Sequence, residues 1–281
     1  MHNPYYTLIT GASEGFGKAL AIECAHRKMN LILVALPGSA LYDVAEEIKY
    51  KHEVEVLCIE KDLCKENSCV EVYNEVQALG LRVNMLFNNA GIGSTSLFED
   101  GTIQMYETQI KLNVLATTLL TRLFVGMLKE NSPSYILNVG SLACYFPLPK
   151  KHVYGATKSF IYYFSKSLRS ELKHDHVYVS VLCPGGMKTN KAVTFMIQTG
   201  NCFSRLSSMN PEHVVPAAIE GLFNKKEVII PGRLNKCFLW LDKLLPGFLK
   251  TSLMKYGMQG LQSNNNSSSF SSNYWPGLKT G

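Results

Sequence analysis

Short apolar runs alternate with helix-like segments along most of the chain. The segments between the runs, such as residues 16–28, 39–51 and 211–223, have the amphipathic spacing of helices. Strands that are apolar on both sides and separated by helices are typical of a parallel sheet covered on both faces. The sequence predicts an α/β fold, a doubly wound parallel sheet of the Rossmann type, with ligands at the carboxyl ends of its strands. The predicted strands are residues 5–10, 31–35, 54–59, 83–87, 135–139, 177–183 and 228–230.

A glycine-rich turn joins the first predicted strand to the first predicted helix. Glycines in this position allow a tight turn and a close approach of a pyrophosphate to the backbone. The helix start offers free amide donors and the positive end of the helix dipole. A turn without a ligand is the alternative. The residues expected to bind a dinucleotide here are Gly11, Ser13, Gly15, Phe16 and Gly17.

Ser141 precedes a Tyr154-x-x-x-Lys158 motif by thirteen residues. Tyrosine and lysine four positions apart share one face of a helix, so the ammonium can lie close to the phenol. A nearby positive charge lowers a phenol pKa toward the range of an acid–base catalyst, and Ser141 can hold a substrate oxygen against the phenol. The alternative is a pair on a solvated helix face.

The order and spacing of several motifs resemble those of the short-chain dehydrogenase/reductase family. The resemblance covers about residues 5–232 and implies that the chain is an oxidoreductase that uses NAD(P)(H). It implies reversible hydride transfer between the nicotinamide and a carbonyl or secondary alcohol carbon. The motifs are the glycine turn 10–17, Asn88-Asn-Ala-Gly91, Asn113, Ser141, Tyr154-x-x-x-Lys158 and Pro184-Gly-Gly-Met-Lys-Thr189.

The resemblance also implies roles for single residues. Tyr154 would exchange the proton, Ser141 would bind the same oxygen, and Lys158 would lower the tyrosine pKa and bind the nicotinamide ribose. Asn113 would hold a water that links Lys158 to solvent; a core asparagine with satisfied hydrogen bonds is the alternative. The remaining cofactor contacts would come from Asp62, Leu63, Asn89, Ala90, Gly91, Pro184, Gly185 and Thr189.

Two of these segments have plain structural alternatives. Asp62 is also a typical helix N-cap residue, and Asn88–Gly91 could be a simple turn. A second function class is a non-catalytic nucleotide sensor or scaffold on the same fold. The set of Asn113, Ser141, Tyr154 and Lys158 favours the enzyme, because a pure binder has no need of all four.

The residues after the second predicted strand bear on the cofactor type. Dinucleotide folds that select NAD usually place an acid there to bind the ribose 2′-hydroxyl. This chain has Leu36-Pro-Gly-Ser39 and no acid before Asp43. We predict NADP(H), with Ser39 and free amides binding the 2′-phosphate. NAD(H) stays the alternative, because no basic residue occurs there or in the glycine turn.

The segment 187–210 occupies the place where family members cover the substrate. It is rich in apolar residues, and Cys144, Tyr145 and Phe146 could line the same pocket. This predicts a small hydrophobic carbonyl or alcohol substrate, such as a fatty-acyl, steroid or aromatic compound. A lid packed on its own core is the alternative.

We predict a dinucleotide-binding and catalytic domain over residues 1–232, a basic amphipathic extension over 233–262 and a disordered Ser/Asn-rich tail over 263–281. The net charge of +6 is concentrated near the C-terminus. The extension is expected to pack beside the active site, with contact to a membrane surface as the alternative. No recognition motif for nucleic acid accompanies the charge.

Apolar helices at 112–128 and 154–172 predict pairing of subunits in a homodimer or homotetramer. Residues 112–128 are interrupted by Asn113 and Arg122, which favours a buried or interface helix over a transmembrane span. The N-terminus lacks the pattern of a signal peptide, and the eight cysteines lack metal spacing. We therefore expect a cytoplasmic protein without a metal site.

Overall fold

In the computed structural model, residues 4–187, 194 and 207–237 are described. Seven parallel strands form one sheet in the order β3-β2-β1-β4-β5-β6-β7. The predicted α/β doubly wound fold is thereby confirmed. The strands are β1 Tyr5–Thr10, β2 Asn30–Ala35, β3 Val56–Glu60, β4 Arg82–Asn88, β5 Ser134–Val139, β6 Val177–Leu182 and β7 Val228–Ile229.

Helices cover both faces of the sheet. A π-helical segment, Lys111–Ala116, joins α4 to α5, and short 3₁₀ turns lie at Leu142–Cys144 and Lys173–Asp175. The α-helices are α1 Gly15–His26, α2 Leu41–His52, α3 Ser68–Ala78, α4 Ile103–Ile110, α5 Thr117–Glu130, α6 His152–Leu172 and α7 Pro211–Phe223.

Two apolar layers hold the helices to the sheet. One contains Leu20, Leu33 and Ile219 and packs α1, α2 and α7 on one face. The other contains Leu86 and Phe124 and packs α3, α5 and α6 on the opposite face. Strands buried on both sides result from helices on both sides, as the continuous apolar runs predict.

The strand order reverses between β1 and β4, which are neighbours although β2 and β3 intervene in sequence. Crossovers leave in opposite directions from this point, so a crevice opens at the carboxyl ends of the strands. The glycine turn after β1 and the loop after β4 both lie at this crevice.

One continuous helical run, Ile103–Glu130, is long and apolar enough to cross a membrane by length and composition alone, with 33% of its apolar window buried. Core helices of soluble proteins pass the same test. In this chain the run packs on the sheet through Ala116, Leu120, Phe124 and Leu128.

The start of the predicted extension packs on the domain. The side chain of Asn235 is buried, and its Nδ2 donates to the carbonyl of Pro231 at 2.8 Å. The predicted amphipathic helix beyond residue 237 and the predicted tail lie outside the described residues.

Candidate active site

The serine and tyrosine of the predicted catalytic group meet at the end of β5. Ser141 caps the turn Leu142–Cys144, and its Oγ accepts a hydrogen bond from the amide of Ala143 at 3.1 Å. Tyr154 lies in the first turn of α6, where the Ser141 side chain is close enough to its phenol to lower the pKa of Tyr154. Because an amide already occupies a lone pair of Oγ, the hydroxyl proton is free to point at an oxygen beside the phenol.

Lys158 lies one turn further along α6 and is buried. Its Nζ donates to the carbonyl of Val139 at 2.7 Å and lies 5.8 Å from the centroid of the Tyr154 ring. The carbonyl holds the ammonium beside the ring. The structure therefore brings Ser141, Tyr154 and Lys158 together, as the sequence predicts.

The predicted direction of the tyrosine pKa is wrong for this structure. Burial raises the pKa of Tyr154, and the neighbouring Ser141 side chain opposes that rise only in part. Burial also lowers the pKa of Lys158 from 10.5 to about 8. Desolvation penalises both charged forms, and a sequence pattern contains no measure of burial.

Asn113 lies in the π-helical segment with its side chain buried. Its Oδ1 accepts from the amide of Ile92 at 2.9 Å, and its Nδ2 donates to the Ile92 carbonyl at 2.9 Å and to Thr157 Oγ1 at 3.0 Å. These contacts are those of an asparagine with satisfied hydrogen bonds. They also tie the π-helical segment to α6 one residue before Lys158. The water-holding role stays a prediction.

The loop after β4 passes between these side chains. A Cβ added at Gly91 would lie 3.0 Å from Asn113 Oδ1 and 3.4 Å from Lys158 Nζ. A Cβ added at Gly93 would lie 3.4 Å from Cε2 of Tyr154. A Cβ at Gly91 would therefore press on Asn113, whereas a Cβ at Gly93 would make ordinary contact with the Tyr154 ring.

The glycine turn has the shape that a pyrophosphate requires. Gly11 has φ +65°, a conformation that side chains disfavour. A Cβ at Gly17 would lie 1.9 Å from the Gly11 carbonyl oxygen, so only glycine fits. Helix α1 begins at Gly15 with no side chain capping its amides and no acid in its first turn. Free amides at this helix start fit the phosphates of a dinucleotide, although the N-cap residue is the acid Glu14.

The other residues of this turn divide between the crevice and the core. Ser13 precedes the helix start and is partly exposed, whereas the Phe16 side chain is buried in the apolar layer under α1. Phe16 can therefore contribute only its backbone amide to a ligand.

Asn89 and Ala90 join the ends of β1 and β4. Asn89 Nδ2 donates to the carbonyl of Thr10 at 2.8 Å and to that of Gly11 at 3.1 Å. The Oγ1 of Thr10 accepts from the amides of both residues, at 3.0 Å and 2.9 Å. The Asn89 side chain thus supports the glycine turn. The sequence analysis included Thr10 in the glycine motif but assigned its side chain no role.

Asp62 forms a local turn, with Oδ1 accepting from the amide of Cys64 at 3.0 Å. It is not the N-cap of a helix, since α3 begins at Ser68 with Asn67 before it. The side chain of Leu63 is buried in the layer under α3. Contact of Leu63 with a cofactor would have to run through its backbone.

Two of the amides beside the Ser39 hydroxyl already have hydrogen-bond partners. Gly38 donates its amide to Glu60 Oε1 at 2.9 Å, and the Ser39 amide donates to the Leu36 carbonyl at 3.2 Å. The Ser39 hydroxyl is buried without a partner among the described residues. The carboxylate beside this loop is that of Glu60 at the end of β3. Because Glu60 is distant in sequence from Gly38, the sequence alone does not reveal this contact.

Pro184 and Gly185 come after β6. The Pro184 carbonyl accepts from the amide of Leu142 at 2.8 Å, which fastens the serine turn to the end of β6. A Cβ at Gly185 would lie 2.1 Å from the carbonyl oxygen of Ser207. Thr189 lies outside the described residues. Within the part of the chain that is described, no cluster of His, Cys, Asp or Glu side chains could hold a metal.

A cavity of about 580 Å³ adjoins the serine turn and the start of α6. Lys151 Nζ lies 5.5 Å from the centroid of the Tyr154 ring and is the cavity's only charged lining residue in the described part of the chain. Sequence reasoning missed Lys151, whose signal was two consecutive lysines just before the tyrosine motif. The lining residues are Ala143, Cys144, Tyr145, Phe146, Pro147, Leu148, Pro149, Lys151, His152, Gly155, Ala156 and Ser159.

Comparison with known proteins gives one family. The sequence profile of the short chain dehydrogenases matches residues 6–197. The very-long-chain 3-oxoacyl-CoA reductase of Anas platyrhynchos is 32% identical over 185 residues, which are 64% of this chain and 58% of that protein. The NADP-dependent 3-hydroxy acid dehydrogenase of Schizosaccharomyces pombe is 30% identical over 229 residues, 79% of this chain and 88% of that protein.

A solved structure agrees with the sequence comparison. The short-chain dehydrogenase from Sphingobium yanoikuyae in complex with NADPH is 26% identical, with a TM-score of 0.73 over 95% of this chain and 99% of that one. The chain spans about three fifths of the length of the 3-oxoacyl-CoA reductases that it matches.

Proposed function

The chain belongs to the short chain dehydrogenase family of oxidoreductases, and on that premise we propose that it reduces a carbonyl compound with NADP(H). The observation that carries the proposal is the placement of the Ser141 side chain beside the phenol of Tyr154, with the Lys158 ammonium held beside the same ring. The nicotinamide, when bound, supplies or accepts the hydride.

Tyr154 donates the proton to the carbonyl oxygen as that oxygen gains negative charge. Burial raises the phenol pKa, so the phenol stays protonated at neutral pH and suits the direction of reduction. The Ser141 hydroxyl donates a second hydrogen bond to the same oxygen. The positive charge of Lys158 favours the phenolate that remains, and its ammonium is placed to bind ribose hydroxyls.

Two observations support NADP(H). No acid lies between the end of β2 and Asp43 in the first turn of α2. The similar proteins include an NADP-dependent 3-hydroxy acid dehydrogenase and a short-chain dehydrogenase in complex with NADPH. The carboxylate of Glu60 beside Gly38 acts in the other direction, because it repels a 2′-phosphate. NAD(H) is therefore the second candidate.

A hydrophobic substrate is supported by the cavity beside the serine turn, whose lining includes Tyr145, Phe146 and Leu148. The segment expected to cover the substrate lies mostly outside the described residues. The fatty-acyl, steroid and aromatic classes remain alternatives within this proposal.

We further propose a symmetric homodimer or homotetramer in a reducing compartment such as the cytoplasm. Apolar side chains on the two helices expected to pair stay exposed in the single chain, as in Leu115 (48%), Leu119 (40%), Phe160 (41%) and Tyr163 (68%). Such a patch is typical of a subunit interface. The seven cysteines of the described residues are free thiols, as expected in a reducing compartment.

Oxidation of NADPH by the purified chain, measured by absorbance with a panel of ketones and aldehydes, tests the proposal. We expect turnover that Ser141→Ala lowers by about 10²-fold or more. NADPH binding without oxidation by any compound of the panel would favour the sensor or scaffold instead.

A further inference from the structure

We propose that Lys151 binds an anionic group of the substrate, so that the preferred substrates carry a carboxylate a few bonds from the reacting carbonyl. This inference rests on the proposed carbonyl reduction and narrows its substrate class. It concerns the cavity beside the serine turn, defined above by its lining residues.

The cavity presents one formal charge to a ligand. Most of its lining side chains are apolar, and the polar ones include His152 and Ser159. His152 Nδ1 accepts from the amide of Val153 at 3.0 Å, and its Nε2 is buried without a partner among the described residues. The hydroxyl of Ser159 donates to the carbonyl of Gly155 at 3.0 Å. Lys151 is the formally charged side chain of the described lining, and it is therefore the group expected to bind an anion.

Lys151 lacks an anionic partner among the described residues. Its ammonium contacts the face of the Tyr154 ring, 5.5 Å from the centroid, and that contact compensates only part of a charge. Burial lowers the pKa of Lys151, and no neighbouring carboxylate in the described part of the chain opposes the effect. A bound anion would supply the missing compensation.

The position is unfavourable for a lysine in the absence of a ligand. Lys151 is the N-cap residue of α6, a 21-residue helix with no acid in its first turn. A cation at the positive end of a helix dipole destabilises the helix. A carboxylate beside Lys151 would remove both the unpaired charge and the unfavourable dipole contact.

The contact of Lys151 with the Tyr154 ring places the anion site close to the reacting carbonyl. The ammonium lies 5.5 Å from the centroid of the ring whose phenol protonates the carbonyl, so a short substrate can reach both groups. A 3-oxo acid, in which one carbon separates the ketone from the carboxylate, is a short substrate of this kind. A neutral ketone of the same size leaves the ammonium unpaired.

The test compares 3-oxohexanoate with its methyl ester, which keeps the ketone and removes the charge. With NADPH, we expect kcat/KM for the acid to exceed that for the ester at least about tenfold. Lys151→Met should lower kcat/KM for the acid at least about tenfold more than for the ester, while Lys151→Arg keeps the preference. Circular dichroism checks folding, and Lys151→Gln serves as a second variant if the Met variant does not fold.

Lys150→Met is the matched control, because Lys150 is the adjacent lysine and does not line the cavity. It should leave the ratio of the two kcat/KM values unchanged. Equal losses for acid and ester in Lys151→Met, or no loss, would overturn the inference. Turnover of neutral ketones without turnover of the acid would overturn it too, while the proposed function stands. No turnover of any carbonyl compound would mean that both are wrong.

Discussion

Substitution of Gly17 by alanine should severely weaken cofactor binding. The added Cβ would lie 1.9 Å from the Gly11 carbonyl oxygen and 2.6 Å from Asn89 Nδ2. The Gly11 oxygen belongs to the backbone, so the turn and the start of α1 must separate by about 1 Å or more to restore ordinary contact. Overpacking of this kind costs about 1–3 kcal/mol of folding free energy, and a shift of that size misplaces the amides that bind phosphate.

Gly126→Ala is the matched control, because a Cβ at Gly126 in the middle of α5 meets nothing within 4 Å. It should raise the free energy of unfolding by up to about 1 kcal/mol, since alanine favours helix, and leave NADPH binding unchanged. Fluorescence titration with NADPH measures Kd, and circular dichroism measures Tm.

We expect Kd for NADPH to rise at least about 100-fold in Gly17→Ala, which corresponds to about 2.7 kcal/mol. Gly91→Ala tests the same reasoning at a milder site, since its Cβ would lie 3.0 Å from Asn113 Oδ1. That variant should lower turnover more than it weakens NADPH binding. Wild-type affinity in a folded Gly17→Ala variant would refute the assignment of the glycine turn to the cofactor.

Three further predictions concern charge and assembly. Glu60→Gln should lower KM for NADPH several-fold relative to KM for NADH. The substitution removes a carboxylate near the 2′-phosphate and so relieves about 1 kcal/mol of repulsion. An unchanged ratio of the two KM values would contradict this. The kcat/KM for reduction should fall as pH rises through about 8, where buried Lys158 loses its proton. Lys158→Arg should abolish that fall, because arginine keeps its proton. The same fall in the Arg variant would show that a group other than Lys158 titrates. Light scattering should show that the wild type is an oligomer and that the double variant Leu119→Lys with Phe160→Glu disrupts it. The control variant Tyr50→Lys, at an exposed residue of α2, should leave the oligomer intact. A monomeric wild type at micromolar concentration would rule out the proposed assembly.

Lys158 also links stability to pH. Its pKa is lower in the folded chain, about 8 against an ordinary 10.5, so the folded chain releases the proton first. Between these two values the unfolded chain holds more protons, and the contribution of Lys158 to stability rises with pH across that window. Below pH 8 the cost of burying the ammonium is present in full.

The fold was predictable because its signal is repeated along the chain. Each strand is an apolar run, each helix has an amphipathic spacing, and the observed bounds of β1 and α7 equal the predicted ones. The glycine turn and the tyrosine motif were predictable for a similar reason, since each consists of residues close in sequence.

The contacts that sequence reasoning missed join distant segments. Glu60 reaches Gly38 from another strand, and Lys151 acquires meaning only beside the Tyr154 ring and an open cavity. The pKa of Tyr154 depends on how deeply the phenol is buried, which the spacing of Tyr154 and Lys158 does not record.

A buried polar chain between β4 and α6 was missed as well. Asn88 Nδ2 donates to Asn138 Oδ1 at 2.8 Å, and Asn138 Nδ2 donates to Ser165 Oγ at 2.9 Å. Each residue lies in an apolar run where its partner is unknown until the strands are paired. Buried side-chain amides need hydrogen-bond partners. The two asparagines in apolar strands therefore indicated that a polar network exists, but the sequence did not identify the residues that form it.

The most direct test of the proposed mechanism is the turnover of Tyr154→Phe beside Tyr163→Phe. Tyr163 lies on the same helix with its side chain exposed, so its variant controls for loss of a phenol that takes no part in the reaction. With a carbonyl compound that the wild type reduces, Tyr154→Phe should lower kcat by about 10²–10⁴-fold while Kd for NADPH stays within about twofold. Tyr163→Phe should retain wild-type kcat. Near-normal turnover in Tyr154→Phe would contradict the central claim that this phenol supplies the proton.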